Sequence, residues 1–352
     1  THSRPCIGPV SLNTSGHILA LAGGVGGAKL ASGLAAVLAP KALTIVVNTG
    51  DDFEHLGLYI SPDVDSVVYA LAGLNDPVRG WGLANETWNA MSAIARLGGP
   101  DWFALGDQDI ATHLLRTLHL RTRTLSEITA DFARRLGIVH RIVPMSDDPV
   151  RSIIETDIGP LPFQDYFVRH RCAPRFIAIR YDGIDRARPA RDFIATLEDP
   201  DLRAIVLCPS NPLLSLRPIL SLPGIIERLQ RRRVPVVAIS PFIGRDAIKG
   251  PAAKILRELG LSPTPEGLLA CYASFEQSRS GRVGHAEVLQ SASTARNHGE
   301  RPLIDGLVVD RSDADFVTRA GTVAIHVTDT LMRNRDDQIR VARETLAFID
   351  RL

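Results

Sequence analysis

HILALA at residues 17–22, followed directly by GGVGGAK at residues 23–29, decides the fold. Six apolar residues without a polar interruption read as a strand buried on both faces. Four glycines in five positions then make a tight strand-to-helix turn, and the spacing predicts a helix over about residues 28–38. A second apolar strand, LTIVVN at residues 43–48, comes next. Strand, glycine turn, helix and strand form the opening unit of a doubly wound α/β sheet.

Further strand patterns lie at residues 204–208 (AIVLC), 234–240 (VPVVAIS), 304–309 (IDGLVV) and 323–327 (VAIHV). The expected fold is therefore α/β: a Rossmann-like parallel sheet of about six strands covered by helices. A helix over about residues 334–350, with Ile339, Ala342, Leu346 and Ile349 on one stripe, should pack back on it. The long stretch 63–201 reads as a mixed α+β insertion between strands 2 and 3. It has helical patterns at 66–74, 85–97, 107–118 and 125–136, then strand signals at 141–143, 152–156 and 176–180. Residues 17–62 and 202–352 would form the nucleotide-binding core, and residues 1–16 a loose arm. Residues 278–302, rich in Gly, Ser and Arg, read as a mobile surface loop.

Composition closes off several classes. The 352 residues are 45% apolar and 22% charged, ordinary for a globular chain. The net charge of +1 lacks the basic excess of a nucleic-acid binder. No run of 18 apolar residues suggests a membrane span. Cys6, Cys172, Cys208 and Cys271 form no CxxC pair, which argues against a zinc ribbon, and Cys208 and Cys271 read as reduced core thiols. With no signal-peptide pattern, the expected location is cytoplasmic.

In open α/β sheets, ligands bind beyond the carboxyl ends of the strands. Gly23, Gly24, Gly26, Gly27 and Lys29 stand there, and a helix start offers free amides to a phosphate. The turn is neither a Walker loop nor a full dinucleotide fingerprint, because Lys29 replaces the third glycine. If the turn touches a nucleotide, Gly26→Val should block binding and spare the fold. The second strand ends in Asp51 and Asp52, and Asp63 and Asp65 open the next helix. Two carboxylate pairs beside a phosphate turn suggest a hard cation, with helix caps and surface acids as the alternative. Ser210 and Asn211 in PSNP, then Ser240, Gly244 and Lys249 after the VPVVAI strand, extend the cleft. Trp81, Trp88 and Trp102, beside polar groups, suit a flat aromatic ligand or the core.

Taken together, these segments resemble the 2-phospho-L-lactate transferase family of coenzyme F-420 biosynthesis. The matching motifs are GGVGGAK (23–29), NTGDD (48–52), SPDVDS (61–66), GWG (80–82), NETW (85–88), LGDQD (105–109) and ATH (111–113). PMSDDPV (144–150), FQDYF (163–167), PSNP (209–212) and SPFIG (240–244) follow in order. The resemblance implies an Mg²⁺-dependent transfer of a phospho-acyl group from a guanosine-diphosphate-linked three-carbon acid. The acceptor would be the deazaflavin Fo, with GMP released. It further implies Asp51 and Asp65 as metal ligands, with Asp52 and Asp63 beside them or in their place, and the glycine turn, Ser210–Asn211 and Ser240–Gly244 as holders of the guanosine diphosphate. The sequence names no single catalytic base: Asp65, Asp63 or a metal-bound water would take the hydroxyl proton. Trp81, Asn85, Trp88, Gln108 and His113 would wall Fo, and the chain would be a homodimer. The family commonly has arginine where this chain has Gln108, which leaves the acyl group open. The competing expectations are a non-enzymatic UDP-sugar-binding regulator of a related family and a nicotinamide-dependent dehydrogenase.

Overall fold

A computed structural model describes residues 16–244, 246–247, 250–277, 282–285, 301–319 and 322–352. Seven parallel strands form the central sheet: β1 (His17–Ala22), β2 (Leu43–Val47), β5 (Arg141–Pro144), β9 (Leu202–Leu207), β10 (Val236–Ile239), β14 (Gly306–Asp310) and β15 (Ala324–Thr328). Their spatial order is β15-β14-β10-β9-β1-β2-β5. The chain thus winds outward both ways from β1, and the order reverses beside it, where such sheets open a crevice for ligands. All six strands expected from the sequence are present. The seventh, β5, lies within the stretch read as an insertion, yet it pairs with β2 from Thr44↔Arg141 to Val47↔Pro144 and forms one edge of the sheet.

Alternation along β1 explains the unbroken apolar run. Ile18, Ala20 and Ala22 enter one core; Leu19 and Leu21 enter the other. The first core is closed by α1 (Gly24–Val37), α2 (Pro62–Ala72) and the C-terminal helix Arg335–Ile349. A four-stranded antiparallel sheet adds Ile154, Phe176 and Ile179 to the second core. It is built from β6 (Arg151–Thr156), β7 (Gly159–Pro162), β8 (Phe176–Asp182) and β13 (Arg282–Gly284) in the order β13-β8-β6-β7. β13 corrects the reading of residues 278–302 as a loop: Arg282–Gly284 pairs with β8, and Arg282 ion-pairs with Glu155 at 2.7 Å. Residues 278–281 and 286–300 lie outside the described residues, as does the expected N-terminal arm up to residue 15.

Two hairpins, β3 (Phe53–His55) with β4 (Leu58–Ile60) and β11 (Phe242–Ile243) with β12 (Asp246–Ala247), extend from strand ends. Three helices build the wall beyond α2: α3 (Asn89–Arg96), α4 (Asp107–His119) and α5 (Leu125–Arg135). α5 starts in a capping box, with Thr124 and Glu127 bonding each other's amides. The start of α2 carries Pro62, and its end is set by Gly73 at φ +69°. Cys208 and Cys271 are buried free thiols, as expected. Among the described residues, no helix is long and apolar enough to cross a membrane.

Candidate active site at the mouth of the sheet

Four loops meet at the carboxyl ends of β1, β2, β9 and β10. The first is the glycine turn, tied to the third by Ser210. The Gly23 amide donates to Ser210 Oγ at 3.1 Å, and the same hydroxyl donates to the Gly23 carbonyl at 2.8 Å. Gly24 stands at φ +62°, a conformation that favours glycine, and a Cβ there would just touch Asp63 Oδ1 and Ser215 Oγ, both at 4.0 Å. Gly26 has a different reason to be glycine. A Cβ there would lie 2.2 Å from the Pro209 carbonyl oxygen. The expectation that Gly26→Val spares the fold therefore fails: the turn is sealed by its own protein. Even Gly26→Ala should cost about 1–3 kcal/mol through overpacking, read as a lowered urea midpoint.

Asp51, Asp52, Asp63 and Asp65 are all buried, with distinct partners. Asp52 accepts from Tyr59 Oη and Ser61 Oγ, both at 2.8 Å. Asp63 accepts from Asn48 Nδ2 at 2.9 Å. Burial raises Asp63 to about 6, against the hydrogen bonds of Asn48, the Gly24 amide and Ser215. Burial likewise raises Asp52 to about 7, against Arg151, Tyr59 and Ser61. Asp51 is pushed well above the ordinary carboxylate range, by burial first and then by the charges of Asp63 and Asp52. Its Oδ1 is buried without a hydrogen-bond partner. Asp65 differs. Arg116 on α4 grips it with two nitrogens, Nη1 to Oδ2 at 3.0 Å and Nη2 to Oδ1. The sequence expectation joined Asp51 with Asp65 on one cation. The structure brings Asp51 beside Asp63 and commits Asp65 to a buried guanidinium, whose charge already compensates that carboxylate.

Arg116 was missed by the sequence reading. It belongs to a polar stripe on α4 with Asp109 and His113, at i, i+4 and i+7, and all three are buried. His113 Nε2 lies 3.4 Å from Asp109 and its Nδ1 3.3 Å from Arg116, while Tyr69 donates to Asp109 at 2.6 Å. At 2% exposure His113 is enclosed in this network and offers no surface to a ligand.

The other expected contacts divide. Asn211 Oδ1 accepts the Leu213 and Leu214 amides, and its Nδ2 is buried without a partner. Ser240 is buried and folds its own turn by accepting the Phe242 amide at 3.1 Å. Gly244 sits at φ +58° and donates to Asp313 at 3.2 Å. Lys249 lies outside the described residues. The NETW and LGDQD motifs serve each other as helix caps. Glu86 accepts the Gln108 and Asp109 amides at 3.0 and 2.8 Å, and Asp107 accepts those of Asn89 and Ala90 at 3.1 and 3.0 Å. Asn85 is exposed at φ +56°, and Gln108 reaches only its carbonyl, at 3.4 Å.

Trp81, among the expected acceptor residues, lines a cleft. About 220 Å³ of open space runs between α1, α2, the loop 75–82 and the start of the C-terminal helix. Lys29, Ser66, Tyr69, Trp81 and Arg333 border it, and Lys29 Nζ donates to the Met332 carbonyl at 2.7 Å. Trp81 is 46% exposed and meets Trp88 edge-on at 6.3 Å. The Arg79 guanidinium lies 5.3 and 5.0 Å from the two ring centres, which holds both indoles in place.

The sequence model of the family described as 2-phospho-L-lactate transferase CofD matches residues 18–346. The chain belongs to this family. Among curated relatives, the 2-phospho-L-lactate transferase of Methanopyrus kandleri is 36% identical over 338 residues, covering 96% of this chain and 98% of that protein. The phosphoenolpyruvate transferase of Kitasatospora aureofaciens is 35% identical over 345 residues, with the same two coverages. A solved structure of an upf0052-family protein from Bacillus halodurans superposes with a TM-score of 0.57 at 13% identity, covering 95% of this chain and 99% of that one, and supports the fold alone. This CofD-family chain is accordingly a transferase, and the family selects that reading over the regulator and the dehydrogenase.

Proposed function

We propose that this CofD-family transferase moves a phospho-acyl group from a guanosine-diphosphate-linked three-carbon acid to the deazaflavin Fo and releases GMP. The observation that carries this reading is the run of α2. Asp63 in its first turn stands beside the glycine turn, and Ser66, Tyr69 and Ala70 border the cleft that ends at Trp81. Ten residues of helix span about 15 Å. That distance suits a tricyclic ring at Trp81 with its ribityl chain lying along α2 toward Asp63.

The donor's diphosphate would meet the amides that open α1, where the helix dipole favours negative charge. The terminal ribityl oxygen would then form a bond to the phosphorus distal to guanosine, and the bond from that phosphorus to the GMP oxygen would break. Asp63, near 6, is suited to take the hydroxyl proton at neutral pH. The unpartnered Oδ1 of Asp51, close to a second carboxylate, fits a hard divalent cation. No group of three or more His, Cys, Asp or Glu side chains forms a metal cage among the described residues, so substrate oxygens would complete the shell. Mg²⁺ bound there would neutralise diphosphate charge. Relatives named for phospholactate and for phosphoenolpyruvate are almost equally similar, which leaves the acyl group to experiment.

Mass spectrometry of the product made from Fo with each candidate donor tests the reading. A phosphodiester of Fo with stoichiometric GMP is the expected result, and no product with any donor refutes it. Trp81→Ala should weaken Fo binding about tenfold through lost stacking, measured by fluorescence titration, whereas Gln108→Arg should leave it nearly unchanged.

Stability gives a separate check on the cation. The raised carboxyls of Asp52 and Asp63 bind protons in the folded chain that the unfolded chain has already released. Their stabilising protonation is complete near pH 4 and is lost as the pH rises through about 6 to 7. A cation near Asp51 and Asp63 takes over that neutralising role. Mg²⁺ should therefore raise the melting temperature more at pH 8 than at pH 5, as calorimetry with and without chelator would record.

A further inference from the structure

Arg151 opens β6 beside the mouth of the sheet. Its chain neighbours hold it firmly. Val150 is fully buried, and the Ser152 amide donates to the Gly50 carbonyl at 2.7 Å, which sets Arg151 alongside the loop that carries Asp51 and Asp52. The residue directly opposite on β8 is Asp182, the ordinary cross-strand partner for an arginine. Asp182 pairs instead with Arg180 of its own strand, and among the described residues Arg151 pairs with no carboxylate. Its Nη1 donates to the Val150 carbonyl at 2.8 Å. Its guanidinium lies 5.4 Å from the ring centre of Tyr59, whose hydroxyl donates to Asp52 at 2.8 Å. The ring thus holds a flat cation next to the acidic loop without neutralising it.

We propose that Arg151 binds the carboxylate of the three-carbon acid on the donor. This rests on the donor reading above and adds the group that recognises the acid. Such a donor is anionic in two places. Its diphosphate has the amides that open α1 and the cation near Asp51. Its carboxylate would approach Asp51, Asp52 and Asp63, three buried acids whose charges repel it, so it needs a cation of its own. Two other cations of the site are engaged: Lys29 donates to the Met332 carbonyl, and Arg116 grips Asp65. Gln108 is neutral, and its side chain reaches the Asn85 carbonyl. A planar guanidinium can take both oxygens of a carboxylate at once, which gives orientation as well as charge. In the lactyl and enolpyruvyl donors alike, the carboxylate is attached to the carbon that bears the ester oxygen. One arginine therefore serves both, reading the acid and not the rest of the acyl group.

Titration calorimetry in the presence of Mg²⁺ tests this with two ligands that differ only at the acid: guanosine-diphosphate-linked lactate, and the isopropyl ester of GDP, in which a methyl group replaces the carboxylate. The wild type is expected to prefer the lactate conjugate about tenfold or more, the size of a charged hydrogen-bonded pair. Arg151→Met should abolish the preference and leave the affinity for the isopropyl ester within about twofold of the wild type. Arg151→Lys should keep part of the preference, and it decides the matter if circular dichroism shows that the methionine variant has lost the fold. Equal binding of the two ligands by the wild type overturns the proposal. So does a preference that survives in the variants, or an equal loss of both ligands, which would assign Arg151 to the fold or to the diphosphate. A wild type that shows the Arg151-dependent preference yet forms no product with Fo would refute the transfer and leave the carboxylate site standing.

Discussion

Arg116→Met is expected to destabilise the fold by about 3–5 kcal/mol, the cost of stranding one member of a buried ion pair. Arg116 is 2% exposed and gives both terminal nitrogens to Asp65, itself 6% exposed. Methionine fills much of the volume, so the loss is chiefly electrostatic: a buried carboxylate would face His113 and Tyr69 without its countercharge. The pair as a whole costs desolvation, so Arg116→Met with Asp65→Leu should recover much of what the single variant loses. Urea unfolding of the two single variants and the double provides the cycle. A single variant within about 1 kcal/mol of the wild type would mean that water reaches Asp65 and that the pair is not structural. The same pair separates two explanations for an inactive Asp65 variant. If Asp65 holds α4 in place, Asp65→Asn lowers the melting temperature by an amount that added Mg²⁺ does not restore. A direct metal ligand would behave otherwise.

The strands of the central sheet were legible because each must be apolar on both faces, a constraint that leaves an unbroken run in the chain. β5 shows the same composition in RIVP, but it is short and stands after four helices. Nothing local says that its partner is β2, so it was grouped with its sequence neighbours. β13 carries even less signal, because an edge strand held by Arg282–Glu155 needs little apolar patterning. The caps show the same divide. Thr124 and Glu127 form a capping box within four residues, a local pattern, whereas Glu86 and Asp107 cap α4 and α3 across about twenty residues, a contact that no local pattern announces. The aspartates were legible as a cluster at the strand ends. Which of them stays uncompensated was not, since Arg116 reaches Asp65 only through the packing of α4 on α2.

Asp51→Asn and Asp63→Asn should each lower the rate of transfer by about a hundredfold or more, with different signatures. Asp51 has an oxygen without a partner, and its burial beside Asp63 makes the ionised pair costly until a cation joins it. Removing its charge should therefore raise the Mg²⁺ concentration needed for half-maximal rate. It should also leave stability at pH 8 unchanged or improved, because a buried repulsion disappears. Asp63 is already supported by Asn48, the Gly24 amide and Ser215, which orient it at the opening of the glycine turn. In its proposed role of proton acceptor it must be ionised, so the wild-type rate should rise with pH through about 6 and then level. In Asp63→Asn that acidic limb should vanish from what activity remains, while the Mg²⁺ requirement shifts little. Steady-state rates from pH 5 to 8 at several Mg²⁺ concentrations read both quantities in one experiment. Near-normal rates in both variants would remove the site from the mouth of the sheet altogether. A loss of the acidic limb in Asp51→Asn instead would exchange the two roles: Asp51 would take the proton, and Asp63, held in place by Asn48, would be the carboxylate on which the cation depends.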